Sequence, residues 1–92
     1  MRIMVQKYGG TSVKGLERMR LVLGRVQKAH AEGFKVVVAL SAMSGETNRL
    51  LKLAKEFSPN PDPAELDALV TTGEQVSVAL FAMLCTDAGL RG

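Results

Sequence analysis

Apolar positions divide the chain into two short runs without alternation and four stretches with helical spacing, in the order strand, helix, strand, helix and then two helical stretches that meet at Gly73. Ile3-Met4-Val5-Gln6-Lys7-Tyr8 begins apolar on both faces, the pattern of a parallel strand covered on each side. Between Val13 and Ala31, apolar residues recur at Leu16, Met19, Val22, Leu23 and Val26, the rhythm of an amphipathic helix, and Gly33 follows as its stop. Lys35-Val36-Val37-Val38-Ala39-Leu40 is β-branched without polar alternation, which predicts a fully buried central strand. Strand, crossover helix and strand form one βαβ unit, so both strands point the same way. The loops after Tyr8 and Leu40 then lie side by side, at the carboxyl ends where open α/β sheets bind ligands.

The second of those loops, Ser41-Ala42-Met43-Ser44-Gly45-Glu46-Thr47-Asn48, opens a helix carrying Leu50, Leu51, Leu53, Ala54 and Phe57. Ser44 and Thr47 sit where hydroxyls cap helices, whereas Ser41 precedes the cap and is free to bind a ligand. Ser58-Pro59-Asn60-Pro61-Asp62-Pro63 is a connector, because prolines at alternate positions extend neither a helix nor a central strand. It ends in a start signal, with Asp62 as N-cap, Pro63 first and Glu65 third in the next helix. Thr72 and Gln75 repeat the capping-box spacing around Gly73, which predicts a break or kink there and a last helix from Glu74 to about Asp87. Val76, Val78, Ala79, Leu80, Ala82, Met83 and Leu84 make that helix apolar nearly all round, as if buried in something larger.

Composition narrows the classes. Ninety-two residues make one domain or less, short for an α/β enzyme, and 47% hydrophobic with 23% charged residues exclude a disordered chain. The net charge of +3 comes from dispersed residues: Lys14, Arg18, Arg20, Arg25 and Lys28 mostly line one polar helix face. With aromatics at 4% and no Trp, there is no stacking surface for nucleic acid. Cys85 is a single cysteine in an apolar segment, and with no zinc spacing and no disulfide framework it fits a reducing cytosol. His30, near a helix end, reads as a surface or capping residue. Ile3 to Val5 is too short for a signal peptide and no run approaches a membrane span, so a cytoplasmic protein with neither membrane nor nucleic-acid partner is expected.

The chemistry concentrates at Lys7-Tyr8-Gly9-Gly10-Thr11-Ser12. Adjacent glycines admit a ligand close to the backbone or adopt φ > 0, Lys7 adds a fixed positive charge, and a helix N-terminus just beyond would favour an anion. The turn lacks the spacing of the dinucleotide fingerprint or the P-loop, so two readings stand: a phosphate-handling turn, or a plain strand-to-helix turn with a solvated lysine. Glu74 likewise reads either as a carboxylate favoured by a helix start or as a site for an ammonium group.

Three motifs in order, Val5-Gln6-Lys7-Tyr8-Gly9-Gly10-Thr11-Ser12-Val13, Leu40-Ser41-Ala42-Met43-Ser44-Gly45-Glu46-Thr47-Asn48 and Thr72-Gly73-Glu74-Gln75, resemble the amino-terminal part of aspartate kinases in the amino-acid kinase superfamily. The resemblance covers essentially the whole chain. It implies an α/β fold, part of the three-layer, carbamate kinase-like architecture, with residues 1–92 an incomplete catalytic domain of one parallel βαβ unit followed by helices.

The activity it implies is transfer of the ATP γ-phosphoryl group to the side-chain carboxylate of L-aspartate, giving 4-phospho-L-aspartate for lysine, threonine and methionine synthesis. Residue by residue, Lys7 resembles the family's catalytic lysine, and Lys7, Tyr8, Gly9, Gly10 and Ser41 its ATP-phosphate contacts. Ser41, Thr47 and Glu74 match aspartate-binding positions, Glu74 taking the α-ammonium. Mg²⁺ is implied on the nucleotide, though no metal ligands are visible in the chain. Missing relative to the family are the strands that hold adenine and ribose, further substrate residues and regulatory domains. The chain is therefore expected to be a fragment, inactive alone, that needs the missing carboxyl-terminal half and forms a homo-oligomer when complete. The alternative is a non-catalytic interaction or regulatory fragment that retains a partial phosphate site.

Overall fold

The computed structural model describes residues 2–90 and contains β1 (Arg2–Tyr8), α1 (Leu16–Ala31), β2 (Phe34–Leu40), α2 (Glu46–Phe57) and α3 (Pro63–Asp87), in the predicted order up to α2 and with one helix where two stretches meeting at Gly73 are expected. β1 and β2 pair in parallel in a two-stranded sheet, with Val5 opposite Val37, Lys7 opposite Ala39 and Tyr8 opposite Leu40. The crossover is α1, whose buried residues Met19, Val22, Val26 and Ala29 form one stripe. Its basic residues are all exposed, as their placement on the polar side requires.

One face of the sheet carries the core. Tyr8, Val13, Met19, Val22, Val26 and Phe81 form the buried cluster, with Val36, Val38 and Leu40 of β2 packed against it. Burying a side chain such as Phe81 contributes about 2 kcal/mol. The opposite face is open: Ile3, Val5 and Val37 are 65%, 68% and 48% exposed. Both strands thus depart from the expected burial on two faces, because among the described residues α1 and α3 cover only the face of Tyr8, Val36 and Val38.

The largest departure is at Gly73, where no new helix starts. α3 runs unbroken for 25 residues from its Asp62 cap, whose carboxylate accepts from the Glu65 N–H at 3.2 Å. Thr72 bonds back to the Leu69 carbonyl at 2.6 Å instead of capping forward, as a hydroxyl in a helix interior does. Gly73 is buried because α3 crosses the β2–α2 loop at this point: a Cβ there would lie 3.1 Å from the Ala42 Cβ and 3.3 Å from the Glu46 Cγ. The glycine serves close approach between elements, a demand that local spacing does not register.

Continuity also alters two other expectations. Buried positions on α3 are limited to Gly73, Ser77 and Phe81, a narrow stripe, while Val76, Val78, Leu80 and Met83 are exposed. The merged helix is long and apolar enough to cross a membrane by length and composition, contrary to the expectation that no run approaches that size. Its contacts with α1, α2 and β2 identify it here as a packed helix of this fold.

Candidate functional site

The turn of residues 9–12 is fastened to the neighbouring loop through backbone bonds. The Ser41 N–H donates to the Tyr8 carbonyl and the Ser44 N–H to the Gly10 carbonyl, each at 3.1 Å, while the Ser12 N–H closes the turn on the Gly9 carbonyl at 3.1 Å. The parallel strands therefore deliver Lys7-Tyr8-Gly9-Gly10 and Ser41-Ala42-Met43-Ser44 to one edge. These bonds consume carbonyls. Among the described residues, the N–H groups of Gly9, Gly10 and Thr11 donate to no backbone carbonyl. Successive N–H groups without a backbone partner, next to a lysine in the chain, are available as hydrogen-bond donors.

The two glycines have separate roles. A Cβ on Gly9 would meet nothing within 4 Å, so that position is open to solvent or ligand. A Cβ on Gly10 would come within 2.7 Å of the Ala42 carbonyl oxygen and 3.1 Å of the Ser44 nitrogen, both immobile backbone atoms. Neither glycine has a positive φ, so the conformational reading of the pair is not what the fold uses. The helix N-terminus is also more distant than expected: α1 begins at Leu16 after Gly15, and Val13, expected at the helix start, is instead fully buried in the intervening turn.

Lys7 is exposed and, by strand alternation, shares the open sheet face with Ile3 and Val5. Among the described residues neither Lys7 nor Glu74 belongs to an ion pair. Tyr8 differs from its neighbours in the turn. Its ring is buried in the core, its hydroxyl donates to the Gln6 Oε1 at 2.8 Å, and the Arg25 guanidinium lies 5.9 Å from the ring centroid. Tyr8 thus contributes its backbone to this edge, and its side chain serves packing.

Glu74 projects from the interior of α3 and lines a shallow cleft with Val38, Ala39, Leu40, Thr71 and Gln75. Ala39 is the register partner of Lys7, so both Lys7 on β1 and Glu74 on α3 neighbour the carboxyl end of β2. The mid-helix position removes the explanation of Glu74 as a carboxylate at a helix start. Thr47 is exposed in the first turn of α2 and Ser41 is half-buried at the end of β2. Neither Ser44 nor Thr47 caps α2: the N-cap is Gly45, at φ 87°, and no side chain caps the helix. That leaves the Thr47 hydroxyl available.

Two features escape sequence reasoning. Arg49 and Glu46 form a bidentate pair in the first turn of α2, with the Arg49 Nε at 3.1 Å from the Glu46 Oε2. That hydrogen bond holds the Glu46 carboxyl below its ordinary pKa. The i, i+3 spacing was the available signal. Ala42 is the second: it is buried between Gly10 and Gly73, and only its smallness within a polar loop hinted at a contact. The larger groove, between α3 and the β2 side of the sheet, contains His30 and Cys85 and is mainly apolar; burial there pushes the Cys85 thiol pKa up. Among the described residues no group of three or more His, Cys, Asp or Glu side chains is placed to hold a metal.

A parallel βαβ unit followed by two helices, with the turn of residues 9–12 and the Ser41 loop held together at one edge, defines an α/β protein. A model of the amino acid kinase family matches residues 2–92, and the chain belongs to that family. The aspartate kinase of Stutzerimonas stutzeri is 52% identical over 90 residues, covering 98% of this chain and 22% of that protein. The aspartokinase of Helicobacter pylori is 51% identical over 81 residues, covering 88% of this chain and 20% of its own length. The crystal structure of aspartate kinase from Synechocystis superposes with a TM-score of 0.89 at 43% identity, over 94% of this chain and 15% of that one. The chain thus has the α/β fold of the matching part of these kinases and spans about a fifth of the length of the relatives.

Proposed function

We propose that the chain is the amino-terminal part of an aspartate kinase catalytic domain, which transfers the γ-phosphoryl group of ATP to the side-chain carboxylate of L-aspartate. The observation that carries this reading is the edge where the N–H groups of Gly9, Gly10 and Thr11, without backbone partners, follow Lys7 in the chain while Glu74 lines a cleft with the last residues of β2. An anionic phosphate chain and an ammonium-bearing acceptor match those two charges. The names of the relatives supply the acceptor: proteins about 50% identical to this chain are aspartate kinases.

Phosphoryl transfer asks little covalent chemistry of the protein. It requires alignment of acceptor and donor oxygens and neutralisation of charge on the transferring group. Lys7 supplies a positive charge at the γ-phosphoryl, and the Gly9 and Gly10 N–H groups orient the phosphates without reorganising. Ser41, fixed by its backbone bond to Tyr8, offers a hydroxyl between phosphate and acceptor. Thr47 and Glu74 hold the aspartate, Glu74 through the α-ammonium, so that its already ionised side-chain carboxylate attacks with no general base. With no group of three or more His, Cys, Asp or Glu side chains placed together among the described residues, Mg²⁺ would be carried by the nucleotide phosphates.

The rest of the enzyme would hold adenine and ribose and cover the open face at Ile3, Val5 and Val37. The complete protein is then a cytoplasmic homo-oligomer in amino-acid biosynthesis. The test is ATP- and aspartate-dependent turnover by a hybrid in which this chain replaces the matching segment of the Pseudomonas putida aspartate kinase, 51% identical over 90 residues. Turnover that needs aspartate supports the reading; none, beside an active parent, overturns it.

A further inference from the structure

Ala42 connects the two halves of the candidate site by contact with both. On one side, its carbonyl oxygen occupies the space a Cβ on Gly10 would enter at 2.7 Å; on the other, its Cβ lies 3.1 Å from where a Cβ on Gly73 would be. Ala42 is only 9% exposed. Gly10 belongs to the phosphate turn, and Gly73 immediately precedes Glu74 on α3. The Gly10 contact meets backbone and the Gly73 contact meets a Cβ fixed to backbone, so no rotamer change absorbs a change in thickness at either side. The Ser44–Gly10 backbone bond holds the first contact in place, and the Glu46 Cγ and Leu50 Cδ1 flank the second at 3.3 and 3.6 Å from the same Gly73 position.

We propose that Ala42, gripped between Gly10 and Gly73, is a positioning residue that sets the separation between the phosphate turn and Glu74. This rests on the aspartate kinase reading, in which the acceptor spans that separation. An amino acid has a fixed reach from ammonium to side-chain carboxylate. Displacing α3 from the phosphate turn by a few tenths of an ångström misaligns the acceptor while leaving the nucleotide side intact.

The test uses the Pseudomonas putida hybrid with Gly73→Ala, Ala42→Gly and the double substitution. Gly73→Ala adds the Cβ that meets Ala42, and is expected to raise the aspartate KM about tenfold with the ATP KM changed less than about twofold, in proportion to the steep cost of misplacement. The double substitution moves the methyl from one side of the contact to the other and is expected to restore the aspartate KM to within about threefold of the parent hybrid. If Gly73→Ala alone fails to fold, Ala42→Gly carries the test, because slack in the same contact should also raise the aspartate KM selectively. Equal rises in both KM values, an unchanged aspartate KM, or no recovery in a folded double variant would overturn the positioning role. An unsubstituted hybrid without aspartate-dependent turnover would instead overturn the functional reading and remove the basis of this one.

Discussion

Gly10 and Ala42 meet through backbone, so tightly that a methyl on Gly10 would sit 2.7 Å from the Ala42 carbonyl oxygen. This contact, with the Ser44–Gly10 hydrogen bond beside it, makes the two loops at the strand ends a single rigid unit. Gly10→Ala should therefore cost about 1–3 kcal/mol of stability, as overpacking does. Gly9→Ala meets nothing within 4 Å and needs no positive φ, so its effect should stay within about 0.5 kcal/mol. Chemical denaturation of both variants checks the contrast. Equal losses would remove the distinction between the packed glycine and the open one.

Lys7 is exposed near the end of β1 and takes part in no ion pair among the described residues, so removing it breaks no structural contact of that kind. In the hybrid enzyme, Lys7→Ala should reduce kcat by about 100-fold or more while ATP affinity changes far less. Steady-state kinetics with direct nucleotide binding measures both. A variant that turns over at the parent rate would take Lys7 out of the mechanism.

For Glu74, the mid-helix position separates binding from stability. Glu74→Gln should raise the aspartate KM by about tenfold or more, because a charge-assisted bond to an ammonium is lost, and should leave the melting temperature near that of the parent. An unchanged KM would show that Glu74 does not hold the acceptor. A fall in melting temperature as large as that of a core substitution would assign it to packing.

The Glu46–Arg49 pair gives a pH signature. Arg49 lowers the folded pKa of Glu46, so the pair stabilises the fold above the unfolded glutamate pKa of about 4.3, and that contribution is lost as pH falls through the lower folded value. Arg49→Gln should accordingly melt below the parent at neutral pH, with the difference closing in acid and shrinking in high salt. Melting curves across pH read this directly; a gap that persists in acid, where the Glu46 carboxyl is protonated, would assign Arg49 a role other than the ion pair.

Much of this arrangement was legible in the chain. The apolar runs located both strands, the stripe of Met19, Val22 and Val26 located α1, and Asp62-Pro63 marked the start of α3 within a residue. Parallel order alone required the Lys7 and Ser41 loops to meet. What failed were inferences from local spacing that only a contact across the chain could decide. Thr72 and Gln75 imitate a capping box around Gly73, yet the glycine is there because Ala42 and Glu46 leave no room for a side chain. Ser44 and Thr47 imitate caps, yet Gly45 occupies the N-cap. Tyr8 lies inside the turn motif, yet alternation along β1 directs its ring to the core.

The open face of the sheet bears on how the chain behaves alone. Ile3, Val5 and Val37 on the sheet, and Val76, Val78, Leu80 and Met83 on α3, leave more apolar surface in contact with water than a stable monomer usually tolerates. The isolated chain should self-associate and bind a hydrophobic dye. Ultracentrifugation showing a non-binding monomer at high concentration would contradict this.

The most direct measurement is ADP release by the hybrid with ATP present, with and without L-aspartate. The account predicts release that depends on aspartate and is suppressed by Lys7→Ala, with none from the chain by itself. Release indifferent to aspartate, or no release from a folded hybrid whose parent enzyme is active, would contradict it.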